Sequence, residues 1–341
     1  MTVISRSVLM IFVFFLGLAC NKSKSASASS DAPAQQITQS AQAPAALTAE
    51  PTGPAMHIDP DRAWQYTKEI VAIGPRWDGS KGQEKLGAYL HSRFQNDVVE
   101  EDAFVADTPA GKIPMRNIIV KFPGTKDGVI VLGSHIDTGY PLRKTKYVGA
   151  NDGASSTAVL MAIGDQLRGK KLEGFSVWLA FFDGEEAVQH WTEQDSVYGS
   201  RHLLAKWQQD GTVRKMKAFL LSDMIGDKDL NILRDDHSTP WLEDLVFQAA
   251  ERLGHQSHFF ATSSPMEDDH VLFAVAGVPV ADLIDFDYGY DNAFWHTPED
   301  TLDKLSPRSL QITGDVILET IRLLNANADH LPATTPLKRT P

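Results

Sequence analysis

The sequence predicts a single α/β domain, built on a central mixed, mainly parallel sheet with helices on both faces. Three observations point to it. Short apolar runs alternate along the chain with segments whose apolar residues recur at helical spacing. Several runs, among them "GVIVLGSH" and "FSVWLAFF", are continuously apolar rather than alternating, which marks strands covered on both faces. Polar clusters follow the ends of these runs, where ligands sit in sheets of this kind. There is no internal repeat.

The elements follow in order. Arg6 precedes an apolar run from Val8 to Ala19 that is shorter than the ~20 residues needed to span a bilayer. It reads as a signal-peptide core, with residues 1–20 ending at Cys20, the only cysteine. "LGLAC" resembles a bacterial lipoprotein signal whose cysteine becomes the lipidated N-terminus, although Gly17 stands where leucine is usual. The competing reading is a chance cysteine in a plain signal peptide or an uncleaved anchor. The lipoprotein reading implies an exported protein, lipid-anchored in the cell envelope. With Cys20 used, no disulfide and no cysteine-based zinc site can form. Residues 21–56 are Ser/Ala/Pro-rich, have almost no bulky apolar side chains and are expected to be a disordered tether.

The catalytic domain is expected over residues 57–330, with 331–341 a disordered tail. Helices are expected at "DRAWQYTKEIVAIG", "KGQEKLGAYLHSRFQ", "GASSTAVLMAIGDQLRG", "GSRHLLAKWQQ", "PWLEDLVFQAAERLG", "DDHVLFAVAG" and "PRSLQITGDVILETIRLLN". Thr239 and Ser306 each precede a proline at the first helical position and are read as caps. Strands are expected at "RNIIVKF", "GVIVLGSH", "FSVWLAFF", "KAFLLSD", "LNILR" and "VPVADLI". A formal charge of −12 argues against a nucleic-acid partner, and a monomer is expected.

The chemistry gathers at strand ends. "SHID", "DGEE", "SDMIGD" and "DFDYGYDNAFWHT" follow four strands, and "VGANDGASS" opens a helix. Glu185 and Glu186 adjoin each other where an apolar strand stops. Two neighbouring carboxylates there repel and resist desolvation, and a metal ion would compensate them. A catalytic zinc needs three protein ligands and one open position. Asp152, Glu186 and His296 would supply two oxygens and one nitrogen, leaving Glu185 to accept and return a proton. Read singly, Asp152 is also a plausible helix cap, His296 an ordinary loop histidine and Glu186 a solvated acid.

"AFFDGEEAVQHW" with "TEQDSVYGSRH", together with "GSHIDT", "GANDGAS", "LLSDMIGD", "MEDDH", "GVPVADLID" and "WHTPEDTLDKLS", resembles the glutaminyl-peptide cyclotransferases (glutaminyl cyclases). These lie within the zinc aminopeptidase superfamily, which has a phosphorylase/hydrolase-like fold. The resemblance covers nearly all of residues 57–325. The long link "AVQHWTEQDSVYGS", "MEDDH" and Trp295 before His296 favour the cyclases over the aminopeptidases. The resemblance implies one Zn2+ on Asp152, Glu186 and His296, and Glu185 as general acid/base. It also implies Asp223 and Asp268 as acids hydrogen-bonded around Glu185, with Trp191 and Trp295 at the pocket. In the di-zinc aminopeptidases, His135 and Asp223 would help hold a second metal. The segment "DLIDFDYGYDNAFWHT", which contains the loop from Asp285 to Phe294, is longer and more acidic than its counterpart in animal cyclases and looks more like bacterial members. Its role in the pocket stays open, as does that of Asp282, Tyr288 and Phe294. His190 and His270 are read as structural.

The implied reaction converts N-terminal glutamine of peptides or proteins to pyroglutamate with release of ammonia. An aminopeptidase using the same Glu185, and a non-catalytic binding domain on this fold, are the alternatives.

Overall fold

The computed structural model describes residues 47–333 and 336–338. Cys20 and most of the expected tether lie outside them. In chain order the elements are α1 (Pro60–Ile73), α2 (Lys81–Arg93), β1 (Val98–Thr108), β2 (Gly111–Phe122), β3 (Gly124–His135), α3 (Ala154–Leu167), β4 (Leu172–Phe182), α4 (Tyr198–Asp210), β5 (Met216–Asp223), β6 (Ile232–Asp235), α5 (Pro240–Leu253), β7 (Phe259–Ser264), α6 (Asp269–Val275), β8 (Val280–Ile284) and α7 (Pro307–Ala326).

Six strands form one sheet in the order β1-β2-β4-β3-β5-β8. β1, β2 and β4 pair antiparallel, whereas β4, β3, β5 and β8 run parallel. The apolar runs become the parallel strands because both their faces are covered. In β3, Ile130 and Leu132 point into one core with residues of α1, α3, α5 and α7. Val129 and Val131 point the other way, against Leu203 and Trp207 of α4 and Phe273 of α6. All seven expected helices and all six expected strands are present. β1 and β7 escaped sequence reading for a physical reason. β1 is an edge strand whose burial is confined to Asp102 and Ala106, so it carries no apolar run. β7 pairs with β6 alone and leaves most of its residues partly or fully exposed.

Two boundaries are corrected. Packed chain begins before His57: Leu47 and Met56 lie against the main core, and the Ala49 amide donates to Asn327 Oδ1 at 3.0 Å. The tail is not free throughout, because the Leu337 amide donates to Ala274 O at 3.0 Å and its side chain packs beside α6. Ser306 caps α7 as expected, accepting from the Arg308 amide at 3.1 Å. Thr239 does not cap α5 through its side chain; its hydroxyl accepts from the Val280 amide at 3.0 Å and ties α5 to β8.

Candidate active site

Parallel pairing sets the carboxyl ends of β3, β4, β5 and β8 side by side. His135 pairs with Phe182, and Asp223 with Ile284. The segments that leave these strands, and the loop entering α3, therefore share one edge.

Two buried acids shape the loops at that edge. Asp137 accepts from the Glu185 and Glu186 amides, each at 3.1 Å, one to each carboxylate oxygen. Asp300 accepts from the Asn151 amide at 2.8 Å, the Asp152 amide at 3.2 Å and the Tyr288 hydroxyl at 2.8 Å. The backbone before Asp152 turns through Gly149 at φ 52°, where a Cβ would stand 2.4 Å from Asp152 O. His296 itself holds φ 53°, a left-handed conformation uncommon for a residue with a side chain. Strain of this kind is found where a functional side chain must be aimed.

These constraints bring Asp152, Glu186 and His296 together. His296 Nε2 lies 2.9 Å from Glu186 Oε1 and 3.3 Å from Asp152 Oδ2. Zinc bonds of about 2.0–2.2 Å place tetrahedral ligand atoms about 3.3 Å apart, so the spacing fits a zinc centre. The donor set, one imidazole and two carboxylates, fits as well. Tyr147 donates its hydroxyl to Asp152 Oδ2, supplying the outer support such ligands need. Asp152 and Glu186 are both buried. A second group shares Asp152: His135 Nε2 lies 3.1 Å from Asp152 Oδ1 and 3.1 Å from Asp223 Oδ1.

Burial and neighbouring charge shift every group of the cluster. Burial pushes Glu185 well above the usual carboxylate range; His135 opposes the rise, and Asp268 and Glu186 add to it. Burial likewise raises Glu186, against the pull of His296. Burial works against a charged His296, yet Glu186 and Asp152 hold it at about 11. In return, despite its burial, Asp152 is held well below the usual range by His135 and His296. The carboxylates thus favour positive charge at this place, which a bound divalent cation would also supply.

A cavity of about 470 Å³ opens on this group. Glu185 and Asp268 line it beside Asp152, Glu186 and His296, and Trp191, Phe286 and Trp295 form aromatic wall. Trp295 stacks on His296 with ring centroids 4.1 Å apart and meets Phe286 edge-on at 4.9 Å. Asp268 acts on Glu185 through its charge. Asp223 bonds His135, and Asp268 turns its carboxylate back to the Asp269 amide as the cap of α6. Of the residues left open, Asp282 and Tyr288 are fully buried away from the cavity, and Phe294 packs on Tyr288. His190 is exposed at the rim, and His270 is buried with Nε2 2.8 Å from Asp235. Sequence reasoning missed Asp137, Asp300 and Phe286. Asp137 and Asp300 stood inside the motifs "SHID" and "HTPED", where their spacing to the ligands was the available signal.

Residues 117–321 match the model of peptidase family M28. The chain belongs to peptidase family M28. Within that family it is similar to glutaminyl cyclases. The crystal structure of the Acidobacteriales bacterium glutaminyl cyclase shares 49% identity, with a TM-score of 0.78, over 87% of this chain and 99% of that one. The Porphyromonas gingivalis glutaminyl cyclase shares 26% identity at a TM-score of 0.69, over 77% and 98% of the two chains. The glutaminyl-peptide cyclotransferase-like protein of Bos taurus is 29% identical over 280 residues, 73% of this chain and 72% of that protein. The M28 assignment agrees with the fold class and the motif resemblance read from sequence.

Proposed function

We propose that this M28 member is a zinc-dependent glutaminyl cyclase that converts N-terminal glutamine of peptides to pyroglutamate and releases ammonia. The observation that carries the reading is the 49% identity, over 87% of the chain, to a protein that is itself a glutaminyl cyclase. Asp152, Glu186 and His296 would hold the zinc, which when bound supplies Lewis-acid polarisation of the side-chain amide carbonyl.

The chain's own residues do the rest. The cavity wall of Trp191, Phe286 and Trp295 encloses an uncharged side chain and limits water, which would otherwise compete as nucleophile. The α-amine and the amide carbon already belong to one residue, so holding that residue folded supplies the proximity. The amine nitrogen bonds to the amide carbon, and the bond from that carbon to the amide nitrogen breaks. Glu185, beside the ligands, takes the proton from the amine and returns it to the departing nitrogen, which leaves as ammonia. Its raised proton affinity suits it to hold that proton between the two steps. Asp268, on the same wall, sets the charge that Glu185 faces.

One observation favours a second reading. His135, Asp152 and Asp223 have ligand spacing of their own, as a di-zinc aminopeptidase would require. Incubation with Gln- and Leu-initiated peptides separates the two. The cyclase reading expects the Gln peptide to lose ammonia with every residue kept, and the Leu peptide to stay intact. Release of free leucine faster than any cyclisation would overturn it.

A further inference from the structure

Next to the Glu185–Glu186 backbone, and outside the lining of the cavity, three further carboxylates meet. Asp78 comes from the turn before α2, Asp137 follows β3 and Asp183 follows β4. One oxygen from each lies within 4.8 Å of the others, and each residue is at most 1% exposed. Two of the three are bonded. Asp137 carries the Glu185 and Glu186 amides, and Asp183 accepts from Gln83 Nε2 at 2.5 Å and the Arg116 amide at 2.8 Å. Asp78 is different: neither of its buried oxygens has a hydrogen-bond partner.

Arg116 acts on Asp183, and Arg76 on Asp137, without forming an ion pair with either. Among the described residues, the one basic side chain within 4.0 Å of any of the three is His135, 3.6 Å from Asp137 Oδ1. Arg76, buried close by in sequence, donates instead to the carbonyls of Gly74, Ile136, Val148 and Gly149. A buried carboxylate with no partner, facing two more acids, is among the costliest arrangements a fold can carry.

We propose that Asp78, Asp137 and Asp183 form a calcium site separate from the zinc centre. The donors are all oxygen, which suits a hard cation and not zinc. Calcium bonds oxygen at about 2.3–2.6 Å, so its shell accommodates oxygens up to about 4.6–5.2 Å apart, and these atoms lie within 4.8 Å of one another. Each bonded oxygen keeps a second lone pair for the ion, and both Asp78 oxygens are free. Asp137 would then serve two masters, the ion on one side and the backbone of the catalytic glutamates on the other. The ion would hold the loop that aims Glu185 and Glu186, whatever reaction that loop performs.

The test uses the full zinc-loaded protein, stripped of calcium, with calcium chloride as the probe. Equilibrium dialysis should find one calcium per chain, and Tm should rise by about 5 °C at a hundredfold excess over Kd. In Asp78→Asn both responses should vanish while zinc content stays at the wild-type level. A wild type with no calcium response, as when Asp78 is simply protonated, overturns the proposal; so does an unchanged response in Asp78→Asn. Should that variant not fold, terbium luminescence excited through the adjacent Trp77 reports on the wild type. Calcium-reversible emission supports the site, and its absence overturns it.

Discussion

Glu185 and Glu186 are neighbours in sequence and their amides share the two oxygens of Asp137, yet their side chains face different partners. Glu186 Oε1 points to His296 at 2.9 Å, whereas Glu185 faces the cavity beside Asp268. Glu186→Gln should therefore lose zinc on dialysis. Glu185→Gln should keep it and lose turnover by about 10²–10⁴-fold or more, the usual contribution of a general acid–base group. Metal analysis beside kinetics checks this, and equal zinc loss in both variants would remove the division of labour. The pH profile offers a second handle. Glu185 must start deprotonated, so kcat/KM should fall as pH drops through its raised pKa. Burial first, then the Asp268 charge among others, raises that pKa. Asp268→Asn removes a negative neighbour, lowers it and should move the acid limb to lower pH, whatever it does to the maximum rate. A limb that stays in place or moves up would contradict the coupling.

At the scale of elements, the site is a set of loops pinned by buried acids. The turn into α3 is held by Asp300, which binds the Asn151 and Asp152 amides and the Tyr288 hydroxyl. An asparagine there has one acceptor oxygen and turns a donor towards one of these groups, leaving an unpaired buried N–H. Asp300→Asn should weaken zinc binding by roughly 10–100-fold, the range seen when outer partners of metal ligands are removed. Competition with a chromophoric chelator measures it, and an unchanged affinity would show that the turn holds its shape without the clamp. The opposite face depends on packing instead. Trp207 of α4 is 1% exposed and meets both Trp178 and Phe273. Trp207→Ala should cost about 3–5 kcal/mol in urea unfolding, with Asp152, Glu186 and His296 untouched.

For the whole molecule, the domain packs from Leu47 onwards, with the anchor expected ahead of it. Cys20 lies outside the described residues, and its lipidation is our proposal from the motif. One acyl chain binds a membrane only marginally, so stable anchoring needs more than one. Mass spectrometry of the mature protein should find a multiply acylated Cys20 at its N-terminus. A mature chain that begins further along and stays soluble would sink the idea. Among the described residues no helix is long and apolar enough to cross a membrane.

Much of this protein was legible in one dimension. Continuous apolar runs mark the two-sided strands, helical spacing marks all seven helices, and the motifs single out Asp152, Glu185, Glu186 and His296. These signals survive because burial on both faces and metal-type chemistry each demand particular residues at particular places. Edge strand β1 was lost because an exposed strand needs no apolar run. What only the tertiary structure decided was partnership across the sequence. A carboxylate reads the same in a string whether it binds a metal, clamps two amides or lies buried without a partner. Asp137 and Asp300 became clamps, Asp223 met His135, and Asp78 was left facing two other acids. Each outcome depends on which strand ends lie side by side, and pairing between distant segments is set by the packing of the whole sheet.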